Sequence, residues 1–289
     1  MAQLIYRDIS ILDAAVAHNS SSYVKARTEA ETLSTDHSLR VADMPLGITA
    51  LTQNPKIRAA IRPNLLDTIT GEYHGQRNGQ RSYETWHSTG SLATSEGLAR
   101  AFPKQDDYGF MLISHEEWNA IGKGAYQGTS VQRVHLEEAR NGDVPKAGTP
   151  YTIFTLLDTD RPGINESTQL SYDQFMKDDR VLMITGSPEY REALAKMFFG
   201  EKEDGGEGWT SVGSYHRIHN APFGLIAKGR LSFVSDDYYG LDGYDYILPE
   251  GCFLVVRDIR PTRDQIVAVV NNPDLNREGM LRAVNALYQ

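Results

Sequence analysis

The sequence predicts an α+β fold: a mixed, mainly antiparallel sheet with peripheral helices and one protruding β-hairpin. Three observations carry that expectation. Asn78-Gly79 separates two runs, 73–77 and 80–86, that alternate aromatic with polar residues, and Asn-Gly supplies the two positive-φ positions of a type I′ hairpin turn. Runs of β-forming residues such as Tyr151–Leu157 and Cys252–Val256 are interspersed with stretches that carry helix caps. The elements do not alternate regularly as strand and helix, which argues against a doubly wound parallel sheet.

Taken in order, Asp13–Ala17 and Tyr23–Leu33 read as helical segments on either side of the Asn19–Ser22 break. Asn54-Pro55 opens a helix through Ile61. After the hairpin, a short helix over Thr94–Phe102 is stopped by Pro103. Ser114 and Glu117 have the spacing of a capping box. Thr129–Arg140 is expected to be helical up to Asn141-Gly142, and Tyr151–Leu157 to be a strand. A helix over Tyr172–Lys177 precedes an expected strand, Arg180–Thr185. Ser187, Pro188 and Glu189 then start the best-marked helix, with cap, first-turn proline and first-turn acid in place. Its residues Tyr190, Leu194, Met197 and Phe198 share one face. The glycine-rich, acidic stretch 200–214 reads as a mobile loop. Strands are expected over Gly224–Val234 and Tyr246–Ile259, and closing helices over Thr262–Val270 and Leu275–Tyr288.

Composition bounds the function. The 289 residues hold 29 Lys and Arg against 38 Asp and Glu, a net charge of −9, with 40% hydrophobic residues. That apolar content is enough for a core and excludes a chain disordered by composition. The acidic excess opposes direct contact with nucleic-acid phosphates, unless the local cluster of Arg77, Arg81 and Lys104 overrides it. A single cysteine, Cys252, excludes an intramolecular disulfide framework and a Cys-rich zinc module. No basic-then-apolar leader and no run of about 18 apolar residues is present. The expectation is therefore a cytoplasmic protein without a membrane partner, folded as a single domain over 1–289; a bacterial or phage source suits this reading.

Two function classes follow. The first is an interaction or assembly protein whose partner is another protein or a further copy of itself. Its contact surfaces are the hairpin, through Tyr73, Arg77, Asn78 and Trp86, and the acidic aromatic segment 235–246, through Asp236, Asp237, Tyr238, Tyr239, Asp242 and Tyr244. That segment holds four Asp and four Tyr with no basic residue, a composition suited to a cationic partner, a sugar or Ca²⁺.

The alternative is an enzyme acting on a nucleotide or another small phosphorylated ligand. Gly186 and Ser187 would cradle an anion at the start of the 188 helix. Asp158 and Asp160, two residues apart after an apolar strand, suit acid–base work or a divalent cation, and also a turn. His87 supplies a third polar group. The run Trp86-His87-Ser88-Thr89-Gly90-Ser91 resembles, over these few residues, the His-x-Thr start of the ADP-ribosyltransferases. The resemblance implies that nicotinamide adenine dinucleotide is held near His87. Composition and spacing by themselves assign no cofactor and no metal. This reading requires His87, Asp158, Asp160 and the 186–190 helix start to converge in one pocket.

Overall fold

In the computed structural model, the residues described are 3–6, 14–19, 22–37, 39–61, 65–105, 110–157, 168–200, 210–213, 227–235, 240–243, 251–257 and 279. The chain begins with strands β1 (Gln3–Tyr6) and β2 (Ala14–Asn19), then helix α1 (Tyr23–His37) and strand β3 (Leu39–Val41). Helices α2 (Met44–Gln53) and α3 (Pro55–Ile61) lead to the hairpin of β4 (Leu65–Arg77) and β5 (Gln80–His87). Helix α4 (Ser95–Ala101), strand β6 (Met111–Ile113), helix α5 (His115–Gly122) and the small hairpin β7 (Ala125–Tyr126) and β8 (Thr129–Ser130) follow. Next come β9 (Gln132–His135), α6 (Leu136–Arg140), β10 (Tyr151–Leu157) and β11 (Thr168–Leu170). A helical trio follows: α7 (Tyr172–Lys177), α8 (Asp179–Thr185) and α9 (Pro188–Phe199). Strands β12 (Thr210–Gly213), β13 (Ala227–Ser235), β14 (Gly240–Gly243) and β15 (Gly251–Arg257) complete the described elements.

The architecture is the expected α+β class. Thirteen strands join one mixed sheet along the path β1-β2-β15-β4-β13-β14-β12-β11. On β4 the sheet branches through β5 to β10 and β9. Pairing is antiparallel except at β9/β10, β12/β14 and the single contact of β15 with β4. Early strand β2 lies antiparallel to late strand β15 over six residue pairs, so an early and a late segment of the chain are joined in one sheet. Helices α2, α7, α8 and α9 pack over one apolar cluster that includes Leu66, Phe175, Leu194 and Leu254. Helices α1 and α5 cover another, with Tyr73, Trp86, Trp118 and Phe253.

The hairpin forms at the expected turn. Asn78 and Gly79 have φ of 51° and 82°, and the strands pair in register from Gly71↔Trp86 to Arg77↔Gln80. Only its tip is exposed. Thr94 and Ser187 cap α4 and α9 by accepting from the amides of Gly97 and Tyr190, as their position before an apolar helix requires.

Four elements correct the sequence reading. Arg180–Thr185 is helical, not a strand. Asp178 accepts from the amides of Arg180 and Val181, and Gly186, at φ 91°, ends the helix in the left-handed region. The run is buried all round, so it carries no periodicity to separate a helix from a strand. Thr129–His135 is extended, because Gln132–His135 pairs in parallel with β10 and the helix begins only at Leu136. Ala14–Ala17 lies within strand β2, held by β15. The end of the glycine-rich stretch, Thr210–Gly213, is a strand between β11 and β14. The expected helices beyond 259 lie outside the described residues.

Candidate functional site

Two of the groups that the sequence singles out, His87 and the start of the 188 helix, meet in the interior beside the sheet. His87 ends β5 opposite Tyr151 of β10. Its ring stacks on the Tyr151 ring at 4.4 Å between centroids, 8° from parallel. Its Nε2 donates to the Met183 carbonyl at 3.0 Å, so Nδ1 is the unprotonated nitrogen and accepts from Thr70 Oγ1 at 3.1 Å. Thr70 Oγ1 in turn accepts from the Met44 amide at 2.9 Å. The chain of donors fixes one neutral tautomer. His87 is fully buried, and that burial pushes its pKa down to about 3, against the opposing effect of the Met183 carbonyl.

Gly186 sits against the same ring. A Cβ built on it would lie 3.4 Å from His87 Cε1 and 2.3 Å from the Tyr151 hydroxyl. The convergence of His87 with the 186–190 helix start is thus present, as packing contact rather than as an open cleft. Ser187 is buried, and its hydroxyl accepts from the Tyr190 amide. Asp43, not singled out by the sequence, completes the region. Its carboxylate accepts from Leu46 N, Ser88 Oγ and Gly148 N at 3.0, 2.7 and 3.0 Å. Burial raises its pKa, and these hydrogen bonds oppose the rise. The signal in the sequence is Asp43 before Met44-Pro45, a cap and an early-helix proline. Asp158 and Asp160 lie outside the described residues.

The opposite face of the hairpin carries a charged cluster. Glu84 is fully buried. Its Oε1 accepts from Arg77 Nε at 2.7 Å and Ser82 Oγ at 3.1 Å. Its Oε2 accepts from Trp86 Nε1 at 2.9 Å and Arg77 Nη2 at 3.0 Å. Arg133 approaches the same two oxygens at 3.5 and 3.4 Å. Burial raises the Glu84 carboxyl, but the hydrogen bonds and charges of Arg77 and Arg133 outweigh it and hold the pKa below the usual range. Arg77 also lies 3.9 Å over the Trp118 ring and donates to the Trp118 carbonyl at 2.5 Å.

Two expected contact residues are therefore corrected. Tyr73 and Trp86 are 0% exposed and stack on each other at 3.7 Å, because the strand alternation turns them toward α5 rather than outward. Arg77 is partly buried in the Glu84 cluster. Asn78 stands exposed at the tip. Asp242 falls in β14, paired with Phe233 of β13, while Asp236, Asp237, Tyr238, Tyr239 and Tyr244 lie outside the described residues. The Ser114–Glu117 pair makes half of its capping box. Ser114 accepts from the Glu117 amide, while the Glu117 carboxylate turns to the Ser91 amide at 2.5 Å. Cys252 is buried in β15 as a core residue, its amide donating to Asp67 Oδ2 at 2.7 Å.

Among the described residues, no helix is long and apolar enough to cross a membrane. No family model matches the chain, and no curated protein matches it. A solved structure that it resembles is described as "Accommodation of massive sequence variation in Nanoarchaeota by the C-type lectin fold". The two chains are 17% identical, with a TM-score of 0.59, over 86% of this chain and 100% of that one. What this chain shares with it is the C-type lectin fold.

Proposed function

We propose that this is an interaction or assembly protein that presents contact surfaces on a C-type lectin scaffold. The observation that carries the reading is that the two buried groups best suited to chemistry, His87 and Glu84, have their polar atoms taken up by the fold itself. Both ring nitrogens of His87 are engaged inside the sheet, and Glu84 is surrounded by donors. Groups of the kind that could do chemistry are thus used to join strands to helices. The candidates for contact are then the exposed hairpin tip at Asn78 and the acidic aromatic segment 235–246. The fold neighbour is described in terms of accommodating massive sequence variation, which supports reading the shared fold as a scaffold. The acidic character suits a cationic protein partner or a second copy, and a cytoplasmic setting is part of the same proposal.

The test is the mass of the full chain by size exclusion with light scattering across a range of concentrations. The reading expects association above the monomer mass. A variant with Asp236, Asp237, Tyr238 and Tyr239 changed to Ser should abolish it while leaving the melting temperature unchanged. A chain that stays monomeric at high concentration, yet melts higher with added nucleotide, would favour the alternative enzyme of phosphorylated ligands.

A further inference from the structure

Two arginines converge on one buried carboxylate, and the second of them is under-used. The four closest donors to Glu84 come from Arg77, Ser82 and Trp86, at 2.7–3.1 Å. A carboxylate offers about four lone-pair sites, so Arg133, at 3.4–3.5 Å, is held at the margin of hydrogen bonding. It is positioned instead by the Phe154 ring, 4.2 Å beneath its guanidinium. Its side chain is 18% exposed. The His135 ring meets the same Phe154 edge-on at 5.2 Å. Leu156, two residues along β10 and so on the same face, is 43% exposed. The nearby acids of α6 have their own partners: Glu137 pairs with Arg140, and Glu138 accepts from the His135 amide.

We infer that Arg133, Phe154 and Leu156 form a docking surface for an acidic segment of a partner protein, with a carboxylate on Arg133 and an apolar side chain on Leu156. The charge argument selects this occupant. Among the described residues, two guanidinium groups face one carboxylate, leaving one positive charge in excess there, on a chain whose net charge is −9. An incoming carboxylate would give Arg133 the fork of short hydrogen bonds that Glu84 has no capacity left to supply. An arginine resting on an aromatic ring is also already ordered, which lowers the entropic cost of binding. This surface is distinct from the acidic segment 235–246, and its test is independent of self-association through that segment.

The probe is a fluorescently labelled peptide of alternating Glu and Leu, titrated into the full chain, with the Gln-Leu and Lys-Leu peptides as controls. The Glu-Leu peptide should bind, more weakly as salt rises, and the controls should not. Arg133→Gln should weaken binding at least tenfold. Leu156→Ser lies outside the Glu84 cluster and tests the same surface without disturbing the fold; it should weaken binding several-fold at unchanged melting temperature. Absence of binding by the unmodified chain, or binding by both variants as tight as that of the unmodified chain, would overturn the proposal. So would a dimer that Arg133→Gln dissolves in the absence of peptide binding, since the occupant would then be a second copy.

Discussion

On opposite faces of the β4/β5 hairpin, His87 and Glu84 are buried by opposite means, although the His87 face also holds the buried Glu72–Arg230 ion pair. On the face under α8, Thr70 and His87 are neutral, and the backbone of Met44 and Met183 completes their hydrogen bonds. On the face under α5, Glu84 is ionised and its partners are guanidinium groups, an indole and a hydroxyl. Both solve the same problem, that a buried polar atom without a partner costs roughly 1–3 kcal/mol. They differ in what breaks them. The neutral chain fails when a proton is added. The ionic cluster fails when one charge is removed, because the others remain in place without their counter-charge.

The ionic side should show the larger mutational effect. Glu84→Gln keeps the shape and removes the charge, leaving Arg77 and Arg133 facing each other across an amide. The expected loss is about 3 kcal/mol or more, read as a lower urea midpoint at constant slope. A loss no larger than that of an exposed ion pair such as Lys196–Glu192 would equate the two faces and break the comparison.

The neutral side should show its effect in pH. The folded-state pKa of His87 is about 3, against roughly 6.5 unfolded. Its contribution is present above about 6.5 and is lost as pH falls toward 3, because the unfolded chain takes up the proton first. Stability should fall by roughly 1.4 kcal/mol per pH unit below about 6, from this group. Asp43, raised by burial, acts in the opposite sense in its own range, since the folded chain takes its proton earlier. Comparing the unmodified chain with His87→Gln isolates the histidine: the variant should lack the slope between pH 6.5 and 5. Parallel pH profiles would show that His87 is not the titrating group.

Much of the fold was readable because its signals are local. The Asn78-Gly79 turn, the caps at Thr94 and Ser187, the helix at Pro55 and the strand at 151–157 are each specified within a few residues. The misread elements are those decided by distant partners. Gln132–His135 becomes a strand because β10 lies beside it, and Ala14–Ala17 because β15 does. Val181–Ile184 is apolar on every side, so only the Asp178 cap and the Gly186 stop distinguish helix from strand. The site was legible in part. The enzyme reading required His87 and the 186–190 helix start to share a pocket with Asp158 and Asp160; His87 and Gly186 meet as an inward packing contact instead, because alternation along β5 does not say which face a helix will cover. Asp43 was missed because its three partners come from residues 46, 88 and 148.

Between the faces, Tyr151 offers a smaller test of how tightly the neutral side is packed. Its hydroxyl is buried, with no hydrogen-bond partner among the described residues. Tyr151→Phe should therefore be neutral or stabilising, by up to about 1 kcal/mol. Gly186→Ala should cost about 2 kcal/mol, from the left-handed φ of 91° and the approach to that hydroxyl. Combined, the two changes should cost less than their sum, because removing the oxygen relieves the closest contact. The φ and Pro45 Cγ, at 2.9 Å, remain, so the rescue is partial. Strict additivity in thermal melts would mean that the clash does not involve Tyr151.

The hairpin tip should give the smallest effect, for a reason its base cannot share. Among the described residues a Cβ on Gly79 would meet nothing within 4 Å, and the obstacle they set to Gly79→Ala is φ of 82°. The expected cost is about 1 kcal/mol, the conformational penalty alone. Gly75 lies further down the same strand pair, where a Cβ would press to 2.7 Å on Trp118, so Gly75→Ala should cost several times more. The pair of variants separates turn geometry from core packing within one hairpin. Equal melting temperatures for the two would mean that the base is as loosely packed as the tip, and that the stacked Tyr73, Trp86 and Trp118 rings do not hold the scaffold together.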